Sequence, residues 1–234
     1  MKREEKITED YLIASGFKDI VFEPNGNIPP DFSIEGKIGV EVRRLNQNYF
    51  TEDKASGLEE DRIPLFKLFE TTLKKFDAQY SGKTYWISIR FSRPIPNSKI
   101  TQNAINHSLS DFLNNPYQLP CWIQATKTIS LHVSESQPVT GRVFRFAAGV
   151  DRESGGFVLK EFINNFNYCM QVKSEIISKH YNKYNSWWLV LVDSIAYGFT
   201  EAEKKEIKSM VSVNSLWDKV IVLDSLKGNN ILEF

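Results

Sequence analysis

The chain has 234 residues, 41% of them hydrophobic and 25% charged, enough for one globular domain with a real core, or for one domain carrying an insertion. Lys plus Arg balance Asp plus Glu at 29 each, which excludes an indiscriminate polybasic nucleic-acid binder and leaves room for a local basic groove. MKREEKITED at the start has no apolar signal core, WWLVLV from Trp187 is far too short for a membrane span, and Cys121 and Cys169 stand at no metal-ligand spacing, so a soluble cytoplasmic protein with two buried thiols and no membrane partner is expected.

In chain order, the spacing of Ile7, Tyr11 and Ala14 before Gly16 predicts a helix over 3–15. A β-hairpin follows around PPDFSIEGKIGVEVRRL, from Pro29 to Leu45. Residues 46–60 are polar and read as a loop. Leu65, Leu68, Phe69, Leu73 and Phe76 mark a helix over 63–79, and YWISIRF from Tyr85 is a strand closed by Pro94 and Pro96. A short helix is expected over 103–113, and ISLHVS and RVFRFA, near 129 and 142, read as a second strand pair. Ser154-Gly155-Gly156 makes a turn before a long helix over about 157–184. WWLVLVD and VIVLD are buried strands separated by a helix over 201–211, an order that predicts parallel pairing. The fold class expected is α/β, with a mixed central sheet flanked by helices and an insertion at about 95–155.

The hairpin has a clear parity. Phe32, Ile34, Ile38, Val40 and Val42 are even, whereas Asp31, Ser33, Gly39, Glu41 and Arg43 are odd. Even residues of both strands share one face when the loop holds an odd number of residues, and Glu35-Gly36-Lys37 supplies a three-residue loop. In that register Phe32 faces Val40 and Asp31 faces Glu41, with Arg43 two positions on. Two opposed carboxylates repel unless one is protonated or a cation lies between them. Carboxylate oxygens suit a hard ion such as Mg²⁺. From spacing alone, an amphipathic hairpin that shows its charges to water, with Arg43 neutralising Glu41, accounts for the pattern equally well.

Pro30-Asp31 followed ten residues later by Glu41-Val42-Arg43 resembles the motif of the PD-(D/E)xK nuclease superfamily, the restriction-endonuclease-like fold. GKIGVEVRRL is similar to the second motif strand of its divergent members, and the resemblance covers residues 1–45 and, more weakly, about 165–193. It implies that Asp31, Glu41 and the main-chain carbonyl of Val42 hold Mg²⁺ or Mn²⁺. It also implies that an acid of the preceding helix faces the site. Glu5 is chosen over Glu4 and Glu9, although an early-turn acid is equally explained by the helix dipole. The chain departs from the motif in one place, since Arg43 stands where the family has Lys. Arg keeps the charge and can clamp phosphate, yet it is a poor general base. The motif lysine can instead have migrated to Lys173, which lies on a stripe with Cys169, Ile176, Ile177 and His180. The plainer reading of Lys173 is a stem laid along the core with a snorkelling amine.

The expectation drawn from these residues is a metal-dependent nuclease acting on nucleic acid, DNA in the first instance, with a homodimer allowed. Arg43 in place of Lys keeps a second reading open, a non-catalytic nucleic-acid-binding or assembly module on the same scaffold. Asp193 and Asp224 each end a buried strand and precede Ser, which makes them the rival pair for a metal–phosphate site. No Gly-rich phosphate loop accompanies either one, so strand-ending turns are favoured. The lysines of 201–211 alternate with glutamates as a solvated face.

Overall fold

The computed structural model describes residues 1–52, 54–115, 118–196 and 198–234. In chain order the elements are α1 (Arg3–Ala14), β1 (Ile20–Phe22), β2 (Phe32–Ile34), β3 (Ile38–Leu45), β4 (Asn48–Phe50), β5 (Ala55–Gly57) and α2 (Leu58–Lys74). Then come β6 (Thr84–Phe91), α3 (Ser98–Asn114), β7 (Cys121–Thr126), β8 (Ile129–Ser136) and β9 (Phe144–Asp151). The chain closes with α4 (Val158–Ile177), β10 (Ser186–Asp193), α5 (Glu201–Met210), β11 (Lys219–Asp224) and β12 (Asn230–Glu233). The fold is mixed α/β. Two compact units are formed, one from Met1–Asn48 and Gly156–Phe234, the other from Tyr49–Gly155. No helix among the described residues is long and apolar enough to cross a membrane.

The described strands of the first unit make a six-stranded sheet in the order β1-β2-β3-β10-β11-β12. β1, β2 and β3 run antiparallel, β10 is parallel to both β3 and β11, and β12 returns antiparallel. The register of β2 on β3 is Phe32↔Val40, Ser33↔Gly39 and Ile34↔Ile38, the one that parity predicts. The loop closes with the Lys37 N–H donating to the Ile34 carbonyl at 3.0 Å, and Glu35 and Gly36 both take positive φ. Even residues Phe32, Ile34, Val40 and Val42 pack with Val190, Ile221 and Leu12 of α1. The opposite face packs Leu189, Leu191, Val220 and Val222 against Phe162, Phe166, Cys169 and Ile177 of α4. Helices therefore cover both faces, and the crossover helix α4 joins the parallel strands β3 and β10 across the inserted unit.

The buried stripe of α1 differs from the expected one. Glu5, Thr8 and Leu12 point inward, while Ile7 and Tyr11 are half-buried and Ala14 is exposed. Thr8 is accommodated because its hydroxyl donates to the Glu4 carbonyl at 2.9 Å, so an inward polar residue leaves nothing unsatisfied.

The second unit opens at Tyr49, well before the boundary near 95, because the segment that precedes it already belongs to its core. Leu65, Phe69 and Leu73 of α2 cluster with Ile87 and Ile89 of β6 and with Ile105, Leu109 and Phe112 of α3. Its four-stranded sheet has the order β7-β8-β6-β9. The strands near 129 and 142 are thus not partners of each other. Both pair with β6, β8 antiparallel and β9 parallel, and β8 takes β7 on its other side. Part of the expected 46–60 loop is the β4–β5 ladder, within which Asp53 lies outside the described residues. α2 begins at Leu58 because the Glu60 carboxylate accepts from the Gly57 N–H at 3.1 Å and Glu59, Glu60 and Asp61 favour a helix N-terminus. α3 begins at Ser98 because the Asn97 side chain caps the Ile100 N–H at 3.0 Å. Arg93, just beyond β6, is buried and satisfied: it bonds both Asp151 oxygens at 2.8 and 3.0 Å, Asp61 at 3.1 Å and the Leu58 carbonyl at 2.7 Å.

Gly39 is required in β3 by its neighbour across the sheet. A Cβ there would lie 3.0 Å from two ring carbons of Trp187 and 3.2 Å from Tyr184. Trp187 is fully buried, and its indole N–H donates to the Tyr181 carbonyl at 2.9 Å, so the ring has little freedom to retreat. Gly39→Ala is expected to destabilise the fold by about 1–3 kcal/mol through overpacking, read as a lower urea midpoint with an unchanged slope.

Candidate functional site

β3 outruns β2. The ladder begins at Phe32↔Val40, so beyond Glu41 the edge of β3 is bordered by the segment leading into β2. Asp31 occupies that border. Its main-chain carbonyl accepts from the Glu23 N–H at 2.8 Å, and its Oδ2 accepts from the Val42 N–H at 2.7 Å. The N–H and C=O of one strand residue face the same edge, so the Val42 carbonyl is directed to the Asp31 side as well. Glu41 projects to the α4 face of the sheet, in register with Leu189 of β10.

α4 delivers Lys173 onto these acids. Its ammonium donates to Glu41 Oε2 and lies 3.6 Å from Asp31 Oδ2. The three side chains are 3%, 27% and 14% exposed for Glu41, Asp31 and Lys173, so the pair reaches solvent through Asp31. The snorkelling reading of Lys173 is corrected here: the amine ends on the carboxylates. A cavity of about 280 Å³ opens beside them, lined by Asp31, Glu41, Lys173, Glu5, Lys2 and Glu23 among others.

Glu5 is the helical acid that borders the cavity. It is buried, and its carboxylate accepts from the Lys2 N–H and pairs with the Lys2 ammonium at 3.4 Å. Glu9 pairs with Lys6, and Glu4 lies 3.7 Å from Arg44. Arg43 shares the face of Glu41 by parity but is occupied elsewhere. Its guanidinium lies over the Tyr168 ring at 5.3 Å and beside the Cys169 thiol. The cation that meets both carboxylates is therefore Lys173. Tyr168, Lys2 and Glu23 were not singled out from sequence, since each is placed by a non-local approach with no motif of its own.

Burial lifts the Glu41 carboxyl above the ordinary carboxylate range, Lys173 opposes that lift, and the charge of Asp31 adds to it. The site thus holds two acids and one cation in a partly dry space, where a second positive group is electrostatically welcome. Among the described residues no cluster of three or more His, Cys, Asp or Glu forms a ligand set. Two carboxylates and a strand carbonyl are nevertheless hard oxygen donors of the kind Mg²⁺ takes, with water and substrate completing its shell.

The rival pair forms turns. Asp193 and Asp224 stand in register at the ends of β10 and β11. Asp193 accepts from the Ile195 N–H at 2.8 Å and from the Ala196 N–H, and Asp224 from the Leu226 N–H at 2.6 Å and the Lys227 N–H at 2.9 Å. Burial pushes the Asp193 carboxyl up to about 6, against the lowering effect of those backbone bonds. Both cysteines are free; Cys169 is buried and Cys121 half-buried at the sheet edge. Compared with family models, curated proteins and solved structures, the chain matches none.

Two outcomes follow from these charges. Lys173→Met removes the charge that holds the Glu41 carboxyl down, so at neutral pH the variant should lose about 3 kcal/mol. An acid whose folded value lies above its unfolded one loses stability as pH rises through that interval. The deficit should therefore shrink as pH falls toward the ordinary Glu range, and urea melts from mild acid to neutral pH measure it; a pH-independent deficit would reject the pairing. For Asp193, stability should fall by about 3 kcal/mol as pH rises from 3.8 to about 6, then level off. Asp193→Asn should lack that slope in the same melts.

Proposed function

We propose that this chain is a metal-dependent nuclease of the PD-(D/E)xK type, hydrolysing phosphodiester bonds of nucleic acid. The observation that carries the reading is the meeting of Asp31, Glu41 and Lys173 at one cavity with Glu5 on its wall. The family resemblance lies in residues 1–45 and about 165–193, and the residues lining this cavity all belong to those two segments. That coincidence supports the assignment, because the segments are far apart in sequence and the resemblance, weaker over about 165–193, spans both.

In this reading Asp31, Glu41 and the Val42 carbonyl hold Mg²⁺ or Mn²⁺. Such an ion, when bound, supplies charge neutralisation at the phosphate and a water of lowered pKa. Lys173 takes the place of the motif lysine. Its ammonium has three donors, one of them on Glu41 and the ammonium 3.6 Å from Asp31, which leaves donor capacity for a phosphate oxygen or an attacking water. Glu41 holds the Lys173 ammonium at the cavity. Glu5, tied to the first turn of α1, orders the opposite wall. Arg43, stacked on Tyr168, holds α4 against β3. A second reading, binding without cleavage, draws support from the same ion triad: Lys173 already neutralises the acids in the metal-free chain.

Cleavage of plasmid and of single-stranded DNA and RNA, with Mg²⁺ or Mn²⁺, tests the proposal together with Mn²⁺ titration calorimetry. Wild type should cut. Asp31→Ala and Glu41→Ala should lose both Mn²⁺ binding and cleavage. Lys173→Ala should keep Mn²⁺ binding and lose about 100-fold or more in rate, the usual cost of removing one charge-stabilising group. Arg43→Lys should cut about as well as wild type. No cleavage by wild type with either metal, and Mn²⁺ binding untouched by Glu41→Ala, would reject the enzyme and leave the binding module.

A further inference from the structure

The sheet of the second unit buries one face and leaves the other bare. Ile87, Ile89, Leu131 and Val133 point to the side that carries α2 and α3. The alternate residues point to solvent, and their composition is unusual. Trp122 of β7 stands opposite His132 of β8, and Trp86 of β6 stands opposite Arg145 of β9. Arg90 of β6 lies on the same face by alternation, its guanidinium 4.3 Å from the centre of the Trp122 ring. Arg145 lies 4.0 Å over Trp86. The His132 ring stacks at 4.8 Å from Trp122, which remains 52% exposed.

The charges that the four strands themselves place on this face have one sign, and Glu70 of α2 is an acid that lines a recess with Trp86 and Arg145. Of the acids in these four strands, Glu135 is in register with inward-facing Tyr85, and Asp151 with inward-facing Phe91. Arg90 and Arg145 therefore meet no strand carboxylate on the open side, in a chain whose overall charge is zero. Elsewhere in the same unit arginine is neutralised by acids, as Arg93 is by Asp151 and Asp61. A flat face that joins guanidinium groups to exposed indole complements a ligand that is anionic along its length and carries flat, unstacked rings. A peptide surface offers neither at regular spacing, and a duplex hides its ring faces in its own stack.

We propose that this open face of β7-β8-β6-β9 binds single-stranded nucleic acid, a base stacking on Trp122 and phosphates meeting Arg90 and Arg145. Base–aromatic stacking beside a basic track is the physics of sequence-tolerant single-strand binding. As the substrate-holding surface of a nuclease the proposal rests on the function given above. As a binding surface it is tested apart from catalysis.

The test uses the full chain in EDTA, so that no cleavage intervenes, and fluorescence anisotropy of labelled oligo(dT), oligo(rU) and a blunt duplex, each about 16 nucleotides long. Single strands of one or both sugars should bind more tightly than the duplex. Trp122→Ala should weaken single-strand binding about tenfold or more, and Trp122→Phe, which keeps a stacking ring, should restore most of it. Arg90→Gln and Arg145→Gln should each lower the slope of log K against log salt by about 0.7. Circular dichroism melts confirm that each variant is folded; since Trp122 is half in solvent, its replacement leaves the core intact. Absence of single-strand binding by wild type, preference for duplex, or indifference to Trp122→Ala overturns the proposal. Cleavage without Trp122-dependent binding would remove this surface and leave the nuclease. Trp122-dependent binding without cleavage would do the reverse.

Discussion

The carboxylate of Glu41 lies at a depth where a lone charge costs several kcal/mol, and the ammonium that answers it comes from 132 positions further along the chain. Keeping those two groups in reach constrains much of the first unit. β3 lies parallel beside β10, so a crossover helix passes over the face on which Glu41 projects. α4 is then held in rotation by its flanks. Cys169, one turn before Lys173, is buried against the sheet, and Ser174, the next residue, accepts from the Trp217 indole N–H at 2.9 Å. Those contacts leave Lys173 facing the acids. Apolar packing and ion pairing thus point the helix the same way, the agreement between levels that a unique fold needs.

What was legible in the sequence was local or strictly periodic. The hairpin register followed from parity and an odd loop, and with it the juxtaposition of Asp31 and Glu41. The parallel pairing of β10 and β11 followed from element order. Parity names the face of Arg43 but not its neighbour, and Tyr168 arrives from a helix that no local rule places there. Lys173 was visible as a charge on an apolar stripe. Whether its amine reached water or a carboxylate depended on how α4 crosses β3, a long-range fact. The inward stripe of α1 was misread because Glu5 and Thr8 carry no apolar signal, although hydrogen bonding makes their burial inexpensive. The start of the second unit was missed for a related reason: α2 looks like any amphipathic helix until the sheet it covers is known.

The two sheets solve different problems with the same materials. In the first, helices cover both faces, so polar chemistry is confined to the place where β2 stops short and an edge is laid open. In the second, helices cover one face and the other remains wet, as is common where strands pair antiparallel, and here the parallel β6–β9 pair shares that wet face. Charge follows that difference. The first sheet gathers acids and one cation into a half-dry recess, where burial and the neighbouring Asp31 raise the Glu41 carboxyl and Lys173 opposes them. The second lays Arg90 and Arg145 over tryptophan rings on its open face.

The insertion between β3 and α4 has a consequence in time as well as in space. A ribosome makes Asp31 and Glu41 early, then the whole of the second unit, and Lys173 only afterwards. At translation rates of about 5–20 residues per second, that interval is on the order of ten seconds. For that period the nascent chain holds its acid pair without Lys173, while the second unit, which carries the exposed Trp122, is being made. The order of the chain therefore brings Lys173 to the acid pair only after the second unit has been made.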